Sequence, residues 1–171
     1  HGIDEDVAEA ALDAVLRISS AHGAAMGKVG MCSAVVSMMR AFADEAAVVE
    51  VGLGCIDRLS RKGNQDELGP LVAALLVKAM DEHKEGEPTL QETACLVAEG
   101  LAQGHKANAQ LLVKAGIESR LVHAEGNIEN ERNVVYPSNA RKAIEAALGT
   151  PISEGADASA PAVAPAPAAA P

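Results

Sequence analysis

Hydrophobic and polar positions along this chain form a pattern that returns. Three segments fall into register: "VAEAALDAVLRIS" (7–19), "VVEVGLGCIDRLS" (48–60) and "LQETACLVAEGLA" (90–102). Each opens on an aliphatic residue and places a glutamate two positions on, at Glu9, Glu50 and Glu92. A small residue follows two later, at Ala11, Gly52 and Ala94, and an aliphatic residue sits near the end, at Ile18, Leu59 and Leu101. Ser19, Ser60 and Ala102 close the segments. Within each, apolar residues recur at three- and four-residue steps, the period of an amphipathic helix. The step is 41 residues from Val7 to Val48 and 42 from Val48 to Leu90. A repeat of that length holds two or three helices, and stacked copies bury a continuous core.

The stretches between these segments supply the other helices. "VGMCSAVVSMMRAF" (29–42) and "LVAALLVKAMDEH" (71–83) read as amphipathic helices. "NAQLLVKAGIESRLVHA" (108–124) reads as two short ones with a break at Ala115-Gly116. A fourth unit is predicted to be incomplete: "PSNARKAIEAALG" (137–149) stands as its last helix alone, behind the polar insert "EGNIENERN" (125–133). Helix stops are predicted at Gly23, Gly63, Gly104 and Gly149, the last followed by Pro151. A start is predicted at Thr89, whose hydroxyl and Glu92 would form a capping box, with Pro88 keeping the chain before it extended. No strand-like alternation bounded by turns stands out. The expected fold is all-α, with a helical repeat domain over 1–150 and a tail over 151–171. The segment "SEGADASAPAVAPAPAAAP" (153–171) has no periodic apolar face and is expected to be an extended tail or linker.

Composition agrees. Apolar residues make up 49% of the 171, yet the aromatics are only Phe42 and Tyr136. The core must therefore be Ala, Leu, Val, Ile and Met, small enough to let helices approach closely. Net charge is −10. A nucleic-acid binder needs a basic footprint and usually stacking aromatics, so nucleic acid is excluded as a partner. Cys32, Cys55 and Cys95 are odd in number and widely spaced, without a C-x-x-C pair. They read as buried thiols in a reducing, intracellular compartment, cytoplasmic by default. No signal peptide is visible, but the chain starts at His1, so an organellar targeting peptide could have been removed. The longest apolar run, "LVAALLV" (71–77), is far short of the roughly 20 residues of a membrane span.

In these residues the chain resembles the armadillo-repeat family, with HEAT repeats as the nearest relative. The last helix of an armadillo repeat tends to read V-x-E-x-[small]-C-x-A-L-x-N-L-[small], as 48–60 nearly does. The preceding segment tends to read N-x-x-x-I-x-x-A-G-[G]-I-x-x-L-V, as "NAQLLVKAGIESRLV" (108–122) nearly does. The resemblance covers 3–149 and implies a right-handed superhelical α-solenoid of about three and a half repeats. It also implies a groove whose last helices carry a recurring Asn and a Trp. Here the Asn positions hold Arg17, Arg58, Gly100 and Ala147, and the Trp positions hold Leu16, Asp57 and Glu99. The resemblance therefore reaches the fold and stops short of importin-type recognition of nuclear-localisation signals.

Candidate chemistry is sparse. Gly52 and Gly54 form G-x-G, but Asp57 occupies the third glycine position of a dinucleotide fingerprint, and no β-α-β pattern surrounds it. Gly52 instead reads as a packing residue and Gly54 as a variable site. The histidines, His22 and His105 at one repeat position among them, lack ligand spacing for a metal, and "DEHKEGE" (81–87) reads as a charged loop. No nucleophile constellation appears, so no catalytic, cofactor or metal residues are assigned. Glu9, Asp13 and Arg17, four apart, read as a solvated helix face. Arg17 and Arg58 share the groove position that the resemblance implies. They form either a short cationic stripe for an acidic or C-terminal peptide or a pair of surface arginines matched to neighbouring acids. The expected function is non-catalytic: a protein–protein interaction scaffold or accessory subunit of a larger complex, with a protein or peptide partner. The alternative is a regulatory or docking domain of a multi-domain enzyme, joined through the Ala/Pro tail.

Overall fold

The computed structural model describes residues 4–85, 87–127 and 135–152. Among them the chain is all-helical: α1 (Glu5–Lys28), α2 (Met31–Ala41), α3 (Ala46–Leu59), α4 (Gln65–Glu82), α5 (Pro88–Ala102), α6 (Lys106–Ala115), α7 (Ile117–Asn127) and α8 (Val135–Leu148). The three segments in sequence register lie in α1, α3 and α5, and these stack in order: α1 on α3, α3 on α5, and α5 on α8. A second row forms beside them, α2 on α4 and α4 on α6. The core between the rows is aliphatic. Leu12, Met39, Leu53, Ile56, Leu59, Leu76, Leu90 and Leu101 are all fully buried, whereas Phe42 and Tyr136 only pack against its margin.

Two glycine stops hold as drawn. Gly104 and Gly149 take left-handed φ values of 68° and 75°, the first just past the Gln103 cap of α5 and the second directly after α8. Gly63, at φ 86°, does more than stop a helix. It also kinks the chain: Lys62 and Gly63 leave the helical φ/ψ range within Ser60–Asn64, and α3 passes into α4 across that kink. The break at Ala115-Gly116 is also where expected, with Gly116 at φ 86° between α6 and α7.

Four expectations are corrected. Gly23 does not end α1, which runs on to Lys28. Gly23 is buried inside the helix, where a β-carbon would meet Lys62 Cγ at 2.7 Å, so it serves close approach and not termination. The capping box at Thr89 does not form. Pro88 is already the first helical residue of α5, a position where its missing N–H costs nothing, and the Thr89 carbonyl accepts from Thr93 Oγ1 at 2.9 Å. Glu125 to Asn127 of the predicted polar insert close helix α7, while 128–133 lie outside the described residues. Lastly, α8 does not stand alone: α6 and α7 both pack against it, as α5 does. A bidentate ion pair from Arg120 to Asp81, at 2.9 and 2.6 Å, ties α7 back to α4. The tail from Ser153 lies outside the described residues. Just before it, Ile152 is buried against the core and donates its N–H to Glu145 at 3.2 Å.

The stacking uses a device that the sequence reading missed. Asn64 donates from Nδ2 to the carbonyl of Gly23, one repeat back, at 3.1 Å and to that of Leu59 at 2.9 Å. Asn108 does the same to Gln65 at 2.9 Å and Leu101 at 3.1 Å. Each amide presses on a glycine: a β-carbon on Gly27 would collide with Asn64, and one on Gly69 with Asn108. Gly23 and Gln65, Gly27 and Gly69, and Leu59 and Leu101 are all 42 residues apart, so this asparagine clasp obeys the register of the hydrophobic pattern.

Candidate functional site

The exposed surface of the first row is polarised along its helices. Acids gather at the N-terminal ends of α1, α3 and α5: Glu5 with Glu45, and Glu50 with Glu87 and Glu92. Cations stand further along: Arg17 midway along α1, Arg58 in the last turn of α3, and Arg61 and Lys62 just beyond it. The acids, and Arg58 among the cations, match the charge of a helix terminus, positive at the start and negative at the end.

Arg17 and Arg58 fall at matching positions on stacked neighbours, yet their surroundings differ. Arg17 is 79% exposed and bonds Asp13 through Nε at 2.8 Å, the four-residue helical pair that its spacing suggested. Such a pair is weak and easily exchanged. Arg58 is exposed, and among the described residues no carboxylate lies within ion-pair distance of it. Its neighbour Asp57 is taken by Arg61, at 2.8 Å. The third position of the series, Gly100, lies against the preceding repeat: a β-carbon there would meet Ser60 Oγ at 2.7 Å. Its carbonyl accepts from Gln65 Nε2 at 2.6 Å. Beyond it, an open cleft of about 390 Å³ separates α5 from α8, with Glu99, Gln103, Asn139 and Lys142 on its walls.

At the acidic edge, burial first, then the charges of Glu87 and Glu92, hold the Glu50 carboxyl above the ordinary carboxylate range. Burial raises Glu92 as well. A carboxyl with a raised pKa in the fold binds its proton more tightly there than in the unfolded chain. Its stabilising contribution is complete below the unfolded value of 4.5 and is lost as pH rises through the folded value. Glu50→Gln, which keeps the shape and removes the charge, should therefore raise the melting temperature at about pH 7 and leave it nearly unchanged at about pH 4. Thermal melts by circular dichroism at the two pH values test this.

The remaining groups with chemical potential are absorbed by structure. All three cysteines are free and buried, and burial pushes each thiol up to about 12. Cys55 donates its S–H to the Leu12 carbonyl at 3.2 Å, binding α3 to α1. His83 is buried with its Nε2 at 2.8 Å from the Ala43 carbonyl. His105 caps α6 through Nδ1, which accepts from the Asn108 N–H, while Nε2 lies 2.7 Å from Asp66. His22, its counterpart in the register, is exposed inside α1, because α1 continues where α5 breaks. Among the described residues no group of three or more His, Cys, Asp and Glu side chains is placed to hold a metal ion. Nor is any helix there long and apolar enough to cross a membrane.

Comparison with known proteins adds no relative: no family model, curated protein or solved structure matches the chain.

Proposed function

We propose that this chain is a non-catalytic protein–protein interaction scaffold, an accessory subunit built as an armadillo-like superhelical solenoid. The observation that carries the reading is the ladder α1–α3–α5–α8, with an asparagine clasp from Asn64 back to α1 and a second from Asn108 back to α4. Such stacks hold an extended surface in fixed register, which suits them to recognise other chains along their length. The partner is a protein or peptide bearing an acidic segment. Arg58 offers it a guanidinium that no described carboxylate engages, and Arg17 one held by an exposed helical pair. A carboxylate can engage such a guanidinium through two parallel hydrogen bonds.

Affinity capture on the full chain, read by mass spectrometry and followed by titration of the captured partner, tests this. Arg17→Glu/Arg58→Glu should weaken that partner about tenfold or more and leave the fold intact, since both side chains are exposed. Unchanged affinity in the double variant would remove the arginines from the interface.

A further inference from the structure

Along the outward face of α1, Val7, Ala11, Ala14, Ile18, Ala21 and Ala25 all stand exposed. They recur in alternating steps of four and three residues, the spacing of a coiled-coil seam. Val7 and Ile18 are 59% and 50% exposed, whereas their counterparts on α3, Val48 and Leu59, are 1% and 0% exposed. The difference has a structural cause: on α3 this face is covered by α1, where Cys55 bonds the Leu12 carbonyl, and by α2, where Gly52 faces Met39, whereas no described element covers it on α1. The seam is about 27 Å long at 1.5 Å per residue.

The seam is complementary to itself in one orientation. Laid antiparallel on a second copy about Leu16, it sets Val7 against Ala25, Ala11 against Ala21 and Ala14 against Ile18. Each bulky side chain then meets an alanine, which lets the helices approach closely. At the ends the same register sets Asp4 against Lys28. Both are exposed, and no described carboxylate pairs with Lys28. A parallel arrangement would instead stack Val7 on Val7, Ile18 on Ile18 and Asp4 on Asp4. We propose that α1 is a homodimerisation helix, pairing antiparallel with α1 of a second copy along Val7–Ala25. The contact is isologous, so it closes at two copies and buries the strip in both.

Size-exclusion chromatography with light scattering on the full chain, up to about 100 μM, provides the first test. A mass of twice 17.4 kDa is expected at the upper concentrations. Ala14→Glu should return the mass to that of one chain with an unchanged circular-dichroism spectrum, because Ala14 is exposed in the single copy. A spin label on Asp6→Cys reads the orientation, since the native thiols are all buried. Antiparallel helices centred on Leu16 place the two labels about 30 Å apart, against less than about 20 Å for a parallel pair. A one-chain mass at every concentration, a dimer indifferent to Ala14→Glu, or the short label distance would each overturn the proposal.

Discussion

Asn108→Leu is expected to cost about 2–4 kcal/mol and to lower the melting temperature by roughly 6–12 °C. Asn108 is 2% exposed, and its amide is the donor for two carbonyls, one in its own unit and one in the unit before. Leucine has similar volume and no donor. The Leu101 carbonyl would then be left buried without its donor, at a cost on the order of 1–3 kcal/mol, and the part-buried Gln65 carbonyl would lose a second bond, which adds to the loss. The matching Asn64→Leu should cost about half as much, because Asn64 is only half-buried and water can replace its amide. A double-mutant cycle sharpens the test. Gly69→Ala should destabilise the native chain, where the new methyl meets the Asn108 amide, and much less beside Asn108→Ala, which clears that space. Denaturant melts of the four chains measure the coupling. A loss below about 0.5 kcal/mol for Asn108→Leu would show that the clasp follows the stacking and does not support it.

Gly52→Leu should cost more than about 3 kcal/mol or prevent cooperative folding, while Gly54→Ala should stabilise by about 0.5–1 kcal/mol. The two glycines sit one residue apart on α3 and face different surroundings. A β-carbon on Gly52 would run into Met39 of α2, close to the stem of a side chain that is itself fully buried and has no room to swing away. A β-carbon on Gly54 would rest 3.5 Å from Leu16 Cδ1 on α1, an ordinary contact. There, alanine removes the entropic cost of glycine in a helix and adds a little packing. Urea melts of both variants decide the matter. If Gly52→Leu were tolerated and Gly54→Ala harmful, the helix would be rotated from the orientation described.

Gly52 also shows how far the sequence could be read. Its equivalence to Ala11 and Ala94 was visible in the pattern and marked it as a contact position. That its neighbour would be Met39, from the helix before it in the chain, was not visible. The stops at Gly104 and Gly149 were legible because a left-handed residue after a helix leaves a local signature. Gly23 and the Thr89 capping box were misread for the opposite reason. Glycine at a helix crossing and glycine at a helix end look alike in one dimension, and a proline can open a helix one residue ahead of a plausible cap. The clasp was missed although Asn64, Asn108, Gly27 and Gly69 were all in view. Asn64 and Asn108 lie 44 residues apart while their glycines lie 42 apart, so a search in strict register passes over them.

For the candidate site, repeat spacing set the positions and the fold set their states. Arg17 and Arg58 were paired by repeat spacing alone. Only the side-chain geometry separated a guanidinium held by Asp13 from one with no described carboxylate beside it. By itself the sequence determined the helical class, the aliphatic core and the length of the repeat, because each follows from periodicity and composition that local interactions enforce. The tertiary structure alone decided which glycines are contacts, which amides bridge successive units, and that the seam of α1 is left open where that of α3 is covered. Those outcomes depend on which residues distant in the chain come together, and helical periodicity carries no record of the neighbour on the other side.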